Sequence, residues 1–224
     1  MIRIILIFSV LLIKTGYSPK TSEQSFEKAY FASGCFWCVE GIYENIKGVI
    51  EVNSGYSGGR MKNPTYQQVI SGKTGHAETV EIIYDPEIID FKTLVNVFFG
   101  SHDPSTLNRQ GPDRGTQYRS IAFYNSKNEK NEIENEINRL LNNNSYNNIT
   151  TQVKPFKIFY LAEEYHQDYK KNNPNDMYIM KVSAPRINKF KMNFMYKYVD
   201  LYIDIYLGHI IFCLCLLYNI KHML

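Results

Sequence analysis

Residues 28–48 read KAYFASGCFWCVEGIYENIKG, and no other stretch restricts the fold as much. Ala29–Ala32 has the composition of a short strand. Past Gly34 the apolar positions Val39, Ile42, Tyr43 and Ile46 follow helical spacing, and Gly48 is placed to end the helix. A strand that turns straight into a helix implies a sheet layer and a helix layer packed together. The turn carries Cys35 and Cys38, with Phe36 and Trp37, the single tryptophan of the chain, between them. Backbone N–H groups at a helix start favour an anion, so Cys35 is expected to have a thiol pulled below its ordinary value.

The pattern continues as mixed elements. NSGYSGGRMKNPTYQQVISGKTGHAE is rich in Gly, Ser and Asn and reads as loop, with a short helix at Tyr66–Ile70 after Pro64. ETVEIIYDP reads as a strand ending at Pro86. Leu94, Val95, Phe98 and Phe99 have helical spacing, with Asp90 as cap. QYRSIAFYNS reads as a strand, and KNEKNEIENEINRLLNNN as an amphipathic helix with Ile133, Ile137, Leu140 and Leu141 on one face. A further strand and a short helix follow in KPFKIFYLAEEYHQDYKK. The expected class is α+β: a two-layer sandwich around a mixed, mainly antiparallel sheet, with long loops. The domain is placed at 27–185.

The ends differ in character. Residues 1–26 hold an apolar run, Ile4 to Ile13, preceded by Arg3 and followed by small polar residues. This reads as a signal segment with cleavage near Gly16–Ser18, and the alternative is an uncleaved anchor. Residues 186–224 form an extension in which Ile205 to Ile220 carries no Asp, Glu, Lys or Arg. That run is slightly short for a spanning helix, so a tail anchor, a buried amphipathic extension and a tail without function all stay open. Export or membrane association is expected, with a cytoplasmic location as the alternative. The net charge of +3, with Lys and Arg scattered along the chain, gives no case for nucleic acid. A monomer is expected.

Four cysteines, at 35, 38, 213 and 215, fall in two tight pairs and do not make a secreted disulfide framework. Zinc needs four ligands at matching spacing. The second pair lies far away in an apolar tail, so no metal is expected. Cys35 is the natural nucleophile. Phe36 and Trp37 beside a reactive thiol offer an apolar wall for a small methyl-bearing group. Three polar clusters add Tyr66, then His76 and Glu78, then Asp113, Gln117, Tyr118 and Arg119. The plainer reading of each is a turn-capping loop residue. His102 and His166 are expected to be structural, His166 by holding the C-terminal helix to the sheet. His76 is expected to orient the loop that carries Glu78, and Arg119 to pair with a carboxylate.

GCFWCVE, SGYSGG with NPTYQQVISGKTGHAE, HDPSTLNRQGPDRGTQYRS and AEEYHQDY occur in that order across about residues 29–184. Together they closely resemble the A-type peptide methionine sulfoxide reductases. The resemblance implies that Cys35 attacks the sulfoxide sulfur and that Phe36 and Trp37 receive the ε-methyl group. It implies that Glu78 protonates the sulfoxide oxygen, that Tyr66 and Tyr118 donate hydrogen bonds to it, and that Asp113 shapes the site. The product would be methionine and a sulfenic acid on Cys35, resolved as a disulfide that thioredoxin or another dithiol reduces. The S epimer, free or in proteins, would be the substrate, and no metal or organic cofactor is implied. Many relatives have Gly where this chain has Cys38 and resolve with C-terminal cysteines. Cys38 is the favoured resolving thiol, and Cys213 and Cys215 stay open. Two other readings are a general thiol–disulfide oxidoreductase and a non-catalytic module that binds oxidised Met.

Overall fold

A computed structural model describes residues 25–194. The expected signal segment and the Ile205–Ile220 run lie outside the described residues, as do Cys213 and Cys215. Six strands form one sheet. In chain order they are β1 (Glu27–Ser33), β2 (Val49–Ser57), β3 (Ala77–Tyr84), β6 (Ser120–Tyr124), β7 (Gln152–Pro155) and β8 (Phe159–Leu161). Two short strands, β4 (Arg109–Gln110) and β5 (Asp113–Arg114), make a separate hairpin. The sheet order is β7-β6-β1-β3-β2-β8. Among the described residues only β6 and β7 pair in parallel; every other pairing there is antiparallel. The expected α+β class with a mixed, mainly antiparallel sheet is what forms.

Period-two alternation sorts each strand between two faces. Ala29, Phe31, Val80, Ile82 and Ala122 face one way and share a core with Val39, Ile42 and Tyr43 of α1 (Phe36–Tyr43). Leu94, Val95 and Phe98 of α3 (Phe91–Ser101), with Ile133 and Leu140 of α4 (Lys127–Asn142), complete that layer. Tyr30, Ala32, Ala77, Ile121 and Phe123 face the other way, under Phe156 and Phe159. Asp90 caps α3 by accepting the Thr93 N–H at 2.7 Å, as its position predicted. Thr65 and Gln68 form a capping box at the start of α2 (Tyr66–Ile70).

Two expectations change. The stretch read as loop from Asn53 opens with the second half of a nine-residue strand, β2. Its composition hid it: Ser54 and Ser57 are buried, and Gly55 sits where a Cβ would come within 2.4 Å of the Tyr160 carbonyl oxygen. The boundary expected at 185 falls inside a helix. After α5 (Tyr169–Asn172), residues 177–194 are helical and widen to a π-helical turn at Ile179–Ser183. Pro185 has no N–H to close an α-type bond. Beyond it Ile187 and Phe190 are buried in the main core.

Candidate active site

β1 ends where β3 and β6 begin, because Phe31 pairs with both Val80 and Ala122 in antiparallel register. The chain turns there through Gly34, whose φ of +90° suits glycine. Cys35 is the N-cap of α1. Glu78 is the second residue of β3 and stands opposite Tyr56 of β2. Tyr118 closes a 3₁₀ turn, Thr116–Tyr118, that leads into β6. Tyr66 opens α2, and Asp113 opens β5. The sequence-predicted residues thus come from five segments to one end of the sheet.

Glu78 is 2 % exposed. The Phe36 N–H, at the start of α1, donates to Glu78 Oε2 at 3.0 Å. The helix start therefore serves this carboxyl. Burial outweighs that bond and pushes Glu78 up to about 8, with Asp113 and Cys38 adding to the rise. A carboxyl in this state holds its proton at neutral pH. Tyr66 and Tyr118 are raised by burial first and then by the Glu78 charge, and both also sense Cys35 and Asp113. Both phenols therefore stay protonated and surround the same point.

The expectation of a lowered Cys35 does not hold. Cys35 is 5 % exposed and Cys38 0 %. Burial raises the Cys35 thiol well above its usual value, and the Cys38 sulfur and Glu78 raise it further. Cys38 moves the other way, to about 6, because Cys35 donates a hydrogen bond to it, with Arg186, Ser183 and Tyr178 helping.

Aromatic rings enclose this centre. Phe36 is 1 % exposed and lies 6.0 Å from Trp37, 6.0 Å from Tyr56 and 6.4 Å from Tyr66, centroid to centroid. Trp37 stacks on Tyr169 at 3.8 Å and meets Tyr178 edge-on at 5.9 Å. His166 is buried among Phe36, Trp37, Tyr66 and Tyr165, and neither ring nitrogen has a hydrogen-bond partner among the described residues. It packs as a ring of the aromatic wall, not as the expected tie between helix and sheet. His76 behaves as expected. Its Nδ1 accepts the Gly59 N–H at 3.1 Å and its Nε2 meets the Met61 carbonyl at 2.8 Å, one residue before β3. His102 bonds the Phe98 carbonyl and Ser120 Oγ, each at 2.7 Å, and burial drives it to about 3, which leaves it neutral.

Among the described residues Arg119 meets no carboxylate. Its three donors go to the carbonyls of Thr116 and Gly75 and to Gln152 Oε1, so it fixes the loop in front of Tyr118. Three residues that sequence reasoning missed shape the site. Tyr178 O–H donates to Asp113 Oδ2 at 2.6 Å. Glu163 accepts from Tyr56 O–H at 2.8 Å and from the Tyr66 N–H at 2.9 Å, which pins the first residue of α2. Glu40, the carboxylate after the cysteine pair, accepts from Ser54 Oγ at 3.0 Å and from the Asp168 N–H at 2.8 Å. It ties α1 to the segment that delivers Tyr169. Burial raises Glu40 to about 7. Glu163 lies in the AEEYHQDY motif, the signal that pointed toward it; nothing local pointed to Tyr178.

A family profile described as "Peptide methionine sulfoxide reductase" matches residues 27–198. "Peptide methionine sulfoxide reductase MsrA 1" of Rhodopirellula baltica is 49% identical over 168 residues, covering 75% of this chain and 87% of that protein. The chain belongs to the peptide methionine sulfoxide reductase family. The reductase of Nautilia profundicola is 47% identical over 163 residues, covering 73% of this chain and 93% of its own length. Among solved structures, reduced Mxr1 from Saccharomyces cerevisiae superimposes with a TM-score of 0.64 at 35% identity, covering 67% of this chain and 87% of that one. Methionine sulfoxide reductase A of Corynebacterium diphtheriae gives 0.62 at 33% identity, over 69% of this chain and 78% of its own. The region matched by the family profile contains every strand of the sheet.

Proposed function

We propose that this protein reduces methionine S-sulfoxide, free and in proteins, to methionine. The observation that carries the reading is a buried carboxyl that keeps its proton at neutral pH beside a buried cysteine pair. A sulfoxide sulfur resists a thiolate until its oxygen is protonated or strongly hydrogen-bonded. Glu78 supplies the proton while Cys35 attacks the sulfur. Tyr66 and Tyr118 donate to the oxygen, and Phe36 and Trp37 take the methyl group. Oxygen transfers to Cys35, giving a sulfenic acid and methionine. Cys38 then displaces water to form the Cys35–Cys38 disulfide, and a thioredoxin-like dithiol reduces it.

A carboxyl that keeps its proton beside the thiol pair favours this chemistry over general disulfide exchange, in which no oxygen needs a proton. Asp113 acts through Tyr178, which it orients over the cysteine pair. The apolar segment at residues 4–13 fits export, and cell fractionation with N-terminal sequencing tests that reading. The activity test compares S and R epimers with thioredoxin present. Turnover of the S epimer alone, lost in Glu78→Gln and Cys35→Ser, is expected. Equal turnover of both epimers, or turnover in Cys35→Ser, overturns the assignment.

A further inference from the structure

AEEYHQDY delivers two rings to the aromatic wall, His166 and Tyr169, and the two residues between them are its anchors. Gln167 lies against β2 as a strand neighbour would. Its Oε1 accepts the Ser54 N–H at 2.9 Å, and its Nε2 donates to the carbonyls of Ser54 and Ala162, each at 3.0 Å. Ser54 Oγ donates to Glu40 Oε2 at 3.0 Å, and Glu40 Oε1 accepts the Asp168 N–H at 2.8 Å. These bonds close a ring through Glu40, Ser54, Gln167 and Asp168. Glu40 is 3 % exposed, and both of its oxygens are used within that ring.

Asp168 stands at φ +52° and ψ 26°, in the left-handed region that strains a non-glycine residue. Such a conformation persists only where the surroundings hold it. Here the bond from its N–H to Glu40 does so. Its carbonyl then accepts the N–H groups of Lys171 and Asn172, each at 2.9 Å, which starts α5. The turn so fixed aims Tyr169, whose ring lies on Trp37 at 3.8 Å with 10° between the planes. That stack closes one face of the indole. A ligand has the rest of the ring to meet, among Phe36, His166 and Tyr178. Trp37 and Glu40 are three residues apart on α1 and so share one side of it. The helix that carries the indole also carries the group that places its stacking partner.

We infer that Glu40 is a positioning residue for the methyl subsite: it fixes the 166–169 turn so that Tyr169 covers one face of Trp37, and this sets how large a group the subsite admits. This inference rests on the reductase reading above, in which Phe36 and Trp37 take the methyl group. Glu40 acts through Tyr169 and takes no part in the proton or sulfur chemistry.

The test compares methionine S-sulfoxide with ethionine S-sulfoxide, one methylene larger, in thioredoxin-coupled turnover of the full chain. A fitted apolar pocket separates two such substrates by about tenfold or more in kcat/KM. Glu40→Ala and Tyr169→Ala are each expected to lose most of that preference, through KM more than kcat. The double variant should lose no more than either single one, because the two residues act in series. Glu40→Gln keeps an acceptor for the Asp168 N–H and is expected to restore most of the preference. Trp37 is the single tryptophan, so its emission reads the stack directly. In both Ala variants that emission should move to longer wavelength and be quenched more by acrylamide. A wild type that does not separate the two substrates, an unchanged preference or emission in Glu40→Ala, effects that add in the double variant, or a Glu40→Gln as impaired as Glu40→Ala each overturns the inference. Should Glu40→Ala fail to fold, Ser54→Ala, which removes the hydroxyl that fixes Glu40 Oε2, decides by the same two readouts. A wild type that reduces no S-sulfoxide sinks the reductase reading instead, and the emission of Trp37 still decides whether Glu40 places Tyr169.

Discussion

Glu78→Gln is expected to make the protein more stable and nearly inactive, and the gain should grow with pH in a defined window. Glu78 is held at about 8 in the fold, against 4.5 for the free side chain. The folded value is raised, so the fold is least penalised below pH 4.5, where both states are protonated. Stability is lost as pH climbs, because the unfolded chain ionises and the folded one does not. By pH 7 the difference is about 3 kcal/mol, and above pH 8 it levels off near about 5 kcal/mol. Gln keeps a carbonyl oxygen to accept the Phe36 N–H, so the substitution removes the charge and little else. Urea unfolding of reduced wild type and Glu78→Gln at pH 5, 7 and 8 measures the gap. It should be small at pH 5 and widen to about 3 kcal/mol at pH 7. Turnover of the S-sulfoxide should fall about 10²-fold, with loss of the wild type's decline above pH 8. A stability gap that is flat across this range would refute the idea that a buried neutral carboxyl sits at position 78.

Glu163→Ala removes the acceptor of both Tyr56 O–H and the Tyr66 N–H. It should cost about 1–3 kcal/mol in thermal unfolding and lower kcat by displacing Tyr66, so a kinetically normal variant would show that this anchor is idle. Leu94→Ala empties a fully buried position in α3; denaturant titration should show a loss of about 2–5 kcal/mol with single-turnover chemistry intact. Cys35→Ser should bind S-sulfoxide without forming methionine, checked by rapid quench with chromatography.

Much of the sheet-and-helix scaffold was legible because its signals are local. The Asp90 cap, the spacing from Leu94 to Phe99 and the amphipathic run of α4 each announce an element within a dozen residues. β2 was not legible. It is paired on both edges, and its inward Ser54 and Tyr56 bond Glu40 and Glu163, so polar residues suffice where apolar ones are expected. The cysteine pair, Glu78 and the two phenols follow from motifs in the sequence. Their charge states do not, because the sign of the Cys35 shift depends on burial and on the Cys38 sulfur beside it, and Cys38 in turn senses Arg186, which arrives from the far end of the chain. Arg119 likewise had the right neighbourhood in sequence and the wrong partners, since carbonyls of two turns fill its donors before any carboxylate is near.

The sharpest trial is a stoichiometric one. Fully reduced protein is mixed with excess methionine S-sulfoxide and no reductant, quenched, and assayed for methionine and for disulfide connectivity by mass spectrometry. One methionine per chain, with Cys35 joined to Cys38 and Cys213 and Cys215 still reduced, is the predicted result. No methionine, or a bridge that leaves Cys35 free, would contradict the account.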